Sequence, residues 1–180
     1  MRLFQRAAKQ GATLRLVISS IASACDTVFH AHARGVVHCD LKPHNIMLSD
    51  FGQTYVLDWG LAISGKRLTP SNATTTAELP WEGDFFHTRP GGFAGTPAFM
   101  SPEQADVRIA DLGPASDVYS LGATLYVVLV GKPAYHARGD LHEVLTLIRE
   151  GVFPAPRVIN KHICRDLEAI CLKAMSLTAR

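Results

Sequence analysis

Leu14, Val17, Ile18, Ile21, Cys25, Val28, Phe29 and, with them, His32 recur at the three-and-four spacing of one helical face, and Gly35 stops the run. The spacing predicts an amphipathic helix leading straight to His38, with His32 carried in its core stripe. Ile46-Met47-Leu48 and residues 54–57 are short, β-prone and apolar, and Ser49-Asp50-Phe51-Gly52-Gln53 between them is turn chemistry, so a hairpin is expected. Ser101-Pro102-Glu103 has the form of an N-cap followed by proline at the first helical position. Leu121–Val130 is apolar all round and predicts a helix buried on every side. Asp140-Leu141-His142-Glu143 has capping-box form and opens a helix with Leu141, Val144, Leu145 and Ile148 inward until Gly151. Pro154 and Pro156 break the chain, and a last helix is expected from about Asp166 to about Met175. The chain therefore reads as mainly α with a small β-hairpin.

Residues 64–94 interrupt this regularity. Ser64–Thr76 is hydroxyl-rich and aperiodic, and Pro90-Gly91-Gly92 adds further loop chemistry. A long mobile segment is expected, with Trp81, Phe85 and Phe86 docking part of it and its threonines open either to phosphorylation or to mere solubilisation.

Composition narrows the classes. With 47% hydrophobic residues, 180 residues are enough for one domain with a core and too few for two. A net charge of +2 without a basic stripe gives no reason to expect nucleic acid. The longest apolar run is about half of what spans a bilayer, and the N-terminus lacks the apolar region of a signal peptide, so the cytoplasm is the default. Cys25, Cys39, Cys164 and Cys171 form no C-x-x-C pair and the histidines are scattered, so neither a disulfide nor a structural metal is expected. Cys25 and Cys171 read as small buried hydrophobes.

The chemistry concentrates in His38-Cys39-Asp40-Leu41-Lys42-Pro43-His44-Asn45 and in Asp58-Trp59-Gly60, which the hairpin would return beside Asn45. Asp50-Phe51-Gly52 would sit at the hairpin tip, pointing away, and reads as a turn. The two strings resemble the catalytic loop H-R-D-L-x-x-x-N and the metal loop D-F-G of the protein kinases. Attack of a hydroxyl on the γ-phosphate of ATP needs a carboxylate to orient it and accept its proton, a cation on the moving phosphoryl group, and oxygens holding Mg²⁺. Asp40 suits the first role and Lys42 the second. Asn45 and Asp58 suit the third, with Mg²⁺ (or Mn²⁺) as the metal.

Further strings extend the resemblance. Gly95–Gln104 is similar to the end of a kinase activation segment, and Ser116–Gly122 to the start of the family's central helix, where the acidic residue, here Asp117, hydrogen-bonds the catalytic-loop backbone. D-W-G-L-A and G-T-P-A-F-M-S-P-E-Q-A look like bacterial serine/threonine kinases. The resemblance implies a kinase-like C-terminal lobe across 1–180, with catalytic loop 38–45, metal loop 58–60 and activation segment 58–103. It implies Lys42 and Thr96 on the substrate hydroxyl, Met47 beneath the adenine with Ile46 and Leu48 open around it, a protein substrate, and a Glu103–Arg180 ion pair. Two residues depart from the pattern: Cys39 stands where many kinases have the arginine that pairs with activation-loop phosphate, and Trp59 replaces phenylalanine. No G-x-G-x-x-G or V-A-I-K-type lysine lies in the 37 residues before His38. A nucleotide-clamping N-terminal lobe is therefore expected as a partner in cis or in trans, and residues 1–180 alone should bind ATP weakly. Three classes remain open: a serine/threonine protein kinase, an aminoglycoside-type phosphotransferase, which shares H-x-D-x-x-x-x-N, and a non-catalytic binding module or inert fragment.

Overall fold

The computed structural model describes residues 14–64, 97–135 and 141–177. Helix α1, Leu14–His32, buries Val17, Ser20, Ile21, Ala24 and Val28, which fall on one face at helical spacing. It packs that face against the hairpin and against a second long helix, α3, Pro114–Val130. The buried stripe is narrower than the sequence suggests: Leu14, Cys25 and Phe29 are exposed. Cys25 is thus not the buried hydrophobe expected, whereas Cys171 is fully enclosed. Cys25 and Phe29 lie on the flank of α1, beside an open apolar groove shared with α3 and α6, Arg165–Ala174.

Helix α3 starts with Pro114 and stops at Gly131, whose φ of 83° is the left-handed conformation that lets its N–H close on the Val127 carbonyl. Its residues from Leu121 to Tyr126 are buried and those from Val127 to Val130 partly so, but Val118 is 46% exposed. Helix α6 lies across α3 at Gly122, where an added Cβ would come within 2.7 Å of the Ala174 Cβ and 3.0 Å of Met175 Cγ. Gly122→Ala should therefore lower stability by about 1–2 kcal/mol, overpacking of about 1–3 outweighing the gain of up to about 1 in helix propensity. Urea unfolding measures it, and an unshifted midpoint would show that α6 is free to slide.

Short elements complete the frame. Strand β1, Val36–Val37, pairs antiparallel with β4, Ile63–Ser64, and β2, Ile46–Leu48, pairs antiparallel with β3, Thr54–Val56, in the register Ile46↔Val56 and Leu48↔Thr54. Alternation along β2 sends Ile46 and Leu48 into the core and leaves Met47 facing the other way, opposite Tyr55. This corrects the expectation of an open surface around all three residues: period-two geometry offers only Met47. Ser64, expected at the start of the long loop, is instead the last residue of β4.

Helix α2, Pro102–Ala105, has Ser101 as N-cap in a complete capping box with Gln104. Its end is tied to α4, Leu141–Glu150, by Arg149, which donates to the Ala105 carbonyl and pairs with Asp106 at 2.7 Å. A one-turn helix α5, Pro156–Ile159, leads to α6. The loop threonines, Trp81, Phe85, Phe86, Thr96, the Asp140 cap and Arg180 all lie outside the described residues.

Candidate active site

The turn after β1 is held from below by one carboxylate. Asp117, fully buried in the first turn of α3, accepts from the backbone N–H of His38 (2.8 Å, Oδ2) and of Cys39 (2.9 Å, Oδ1). His32 Nε2 lies 2.8 Å from the same Oδ2, so the last turn of α1 joins the anchorage. His32 thus has a specific polar partner where the stripe suggested plain core.

Cys39 has φ of 65°, the left-handed conformation that a residue with a Cβ adopts at a cost of about 1–2 kcal/mol. This kink directs the chain toward Asp40. The thiol is buried, and burial followed by the nearby Asp117 charge pushes its pKa up to about 12. It is held as a protonated thiol, a poor nucleophile and no substitute for an arginine cation.

Beyond the kink, Lys42 Nζ donates to both carboxylate oxygens of Asp40, at 2.9 and 2.7 Å. Asn45 Nδ2 donates to the Asp40 carbonyl at 2.8 Å and to Oδ2 at 3.1 Å. Proline at position 43 favours the 3₁₀ turn Pro43–Asn45 that folds the amide back over a five-residue loop. Both acceptors being oxygen, the NH₂ group must face them, which leaves Asn45 Oδ1 without a partner among the described residues. The Asp40 and Lys42 side chains retain 23% and 17% exposure, so the carboxylate lies at the surface of the turn rather than sealed beneath it.

His38 is enclosed under this turn. Its Nδ1 accepts from the Asp40 N–H at 3.2 Å, so the other nitrogen carries the proton and donates to the Leu57 carbonyl at 3.1 Å. Trp59 stacks obliquely on the ring, centroids 4.5 Å apart, and donates its indole N–H to Val56. The imidazole therefore links the 38–45 turn to the segment after the hairpin.

The hairpin delivers that segment to the same place. The Leu57 N–H donates to the Asn45 carbonyl at 2.8 Å, setting Asp58 one residue beyond. Asp58 is exposed, has φ of 65°, and no described group hydrogen-bonds its carboxylate. The literal Asp50-Phe51-Gly52 sits in the five-residue tip: Ser49 Oγ accepts from Phe51 and Gln53, Gly52 has φ of 82°, and Phe51 is 91% exposed. The tip is a turn.

The donor set fits a hard divalent cation. One carboxylate and one amide oxygen, both unspent on protein partners among the described residues, are the ligand types Mg²⁺ takes alongside water and phosphate.

A family model described as "Protein kinase domain" matches residues 2–175. The chain belongs to the protein kinase family. Serine/threonine-protein kinase PknB of Mycobacterium tuberculosis is 32% identical over 164 residues, covering 91% of this chain and 23% of PknB. Serine/threonine-protein kinase PknK of Mycobacterium bovis is 36% identical over 147 residues, covering 81% of this chain and 11% of PknK. Among solved structures, the autoinhibited serine kinase domain of the giant muscle protein titin superposes with a TM-score of 0.73 at 16% identity, over 99% of this chain and 50% of that one, a likeness of fold. The chain thus spans less than a quarter of these curated relatives. Membership implies ATP and a divalent metal, and no described helix is long and apolar enough to cross a membrane.

Of the residues singled out by sequence, Asp40, Lys42 and Asn45 meet directly, Asp58 is returned by the hairpin, and Met47 lies on the outward face of β2. Glu103 accepts from Ser116 Oγ. Sequence reasoning missed the partner of His32 and the reach of Gln104. The signal available for both was a polar side chain placed in an otherwise apolar or capping context.

Proposed function

We propose that residues 1–180 form the substrate-side part of a serine/threonine protein kinase that moves the ATP γ-phosphate to a protein hydroxyl. The observation that carries this reading is the Asp40 carboxylate, gripped by Lys42 and Asn45 in a kinked turn that Asp117 anchors. Mg²⁺-ATP would supply the electrophilic phosphorus and the leaving ADP. Asp40 would orient the attacking hydroxyl and take its proton, leaving the oxygen to bond to phosphorus. Lys42 uses two of its three N–H groups on Asp40, and the third is directed by that fork to meet the charge of the transferring group. Asn45 Oδ1 and Asp58 would hold the metal, Met47 would lie under the adenine, and Thr96 would join Lys42 at the hydroxyl. A nucleotide-clamping lobe in cis or in trans completes the site, since 1–180 contain no glycine-rich phosphate loop. A protein of the cytoplasm is the corresponding location.

The two D-x-G strings separate this reading from a fortuitous motif. In the protein with its native flanking sequence, Asp58→Asn should weaken Mg²⁺-dependent nucleotide binding by about tenfold or more and abolish transfer, because it removes the only charged metal ligand in the set. Asp50→Asn should leave both unchanged. Labelled ATP with a generic protein substrate and with an aminoglycoside provides the assay: transfer to protein is expected, transfer to the aminoglycoside alone would favour the small-molecule phosphotransferase, and equal effects at positions 50 and 58 would defeat the assignment.

A further inference from the structure

We propose that Gln104 is a positioning residue for Asp40, holding the carbonyl of the kinked Cys39 while Asp117 holds its N–H; the proposal deepens the kinase reading and rests on it. The side chain is buried and uses both ends of its amide. Oε1 accepts from the Ser101 N–H at 2.9 Å, which is half of the capping box, while Nε2 donates to the Cys39 carbonyl at 2.6 Å, 65 residues away in the chain. The capping role needs only the oxygen, and glutamate serves it equally well. The second bond needs a donor, which only the amide provides.

What Gln104 holds is a position that does not hold itself. Cys39 is a non-glycine residue at φ of 65°, and such conformations persist only where surroundings over-determine them. Its N–H is bound by Asp117 and its C=O by Gln104, so both polar atoms of the kinked residue are fixed by side chains from separate segments. The next residue is Asp40. Its N–H closes on His38, and its carboxylate direction follows from the peptide that Gln104 grips. The clamp thereby ties the Pro97–Ala105 segment to the Asp40 carboxylate, a connection that the Cys39 thiol, turned onto the Val37 carbonyl, does not make.

Three variants in the full-length protein test it, with amide hydrogen exchange over residues 38–41 and steady-state kinetics as readouts. Gln104→Glu keeps the cap and loses the donor, Gln104→Ala loses both without burying charge, and Ser101→Ala weakens the cap while leaving the Ser101 N–H and the clamp in place. Both Gln104 variants should raise exchange by about tenfold, the loss of one buried hydrogen bond, and lower kcat with the ATP KM unchanged. Ser101→Ala should do neither. If Ser101→Ala matches Gln104→Ala, or if the Gln104 variants exchange like wild type, the clamp is overturned. Raised exchange with unaltered kcat in an active wild type overturns the positioning role. Raised exchange in the Gln104 variants, where the wild type itself transfers no phosphate, refutes the kinase reading and with it the positioning of Asp40 for catalysis, while the structural clamp stands.

Discussion

Asp40→Asn is expected to lower turnover by about 10²–10⁴-fold while nucleotide affinity stays within about twofold, because proton acceptance matters at the transition state and not in the bound ground state. Asparagine has nearly the same shape and keeps one oxygen, so Lys42 retains a partner and the Asn45 bond to the residue 40 carbonyl is untouched. What is lost is the ability to take a proton and one arm of the two-oxygen grip by which Lys42 fixes the group. Single-turnover transfer and nucleotide binding, measured on the same preparation of the protein with its native flanks, separate the two effects. Wild-type turnover would remove Asp40 from its role. A parallel loss of nucleotide binding would instead mean that the carboxylate contributes to the ground state, as a metal ligand does.

Asp117→Ala should be the most destabilising single change among those considered, on the order of 4 kcal/mol, since each buried donor left without a partner costs about 1–3 kcal/mol. Three groups lose their acceptor at once: the N–H of His38, the N–H of Cys39 and His32 Nε2. Against a total stability of about 5–15 kcal/mol, that is a large share. The loop would suffer beyond its stability, because the left-handed kink at Cys39 would keep only its Gln104 anchor. Asp117→Asn is the isosteric control. It fills the same volume but turns an NH₂ group toward one set of donors, so at least half the loss should remain, as read from urea unfolding. A neutral asparagine variant would show that packing, and not hydrogen-bond acceptance, is what Asp117 supplies.

The difference between these two acids marks how far the sequence could be read. The Asp40, Lys42 and Asn45 cluster spans five residues, so proline, turn chemistry and short-range hydrogen bonds are enough to bring its members together. The hairpin and the harmless Asp50-Phe51-Gly52 were legible for the same reason: strand alternation and a glycine at positive φ are local properties. Asp117 was placed by family pattern, and its grip on the loop backbone agrees with that pattern across about 80 residues of sequence.

Tertiary packing decided the rest. Helical periodicity identified the α1 stripe, but not which flank would meet α3, so Cys25 and Phe29 were expected inside and are exposed. It treated His32 as core filling because nothing in a single helix announces a carboxylate on another. Period-two alternation left Met47 outward only once pairing with β3 fixed which face of β2 meets the core. The sequence by itself determined the family, the short-range geometry around Asp40 and the order of the elements. The conformation of Cys39 was decided by tertiary structure, because a left-handed non-glycine residue is locally unfavourable and here its N–H and its C=O are held by Asp117 and Gln104, which arrive from segments more than 60 residues away.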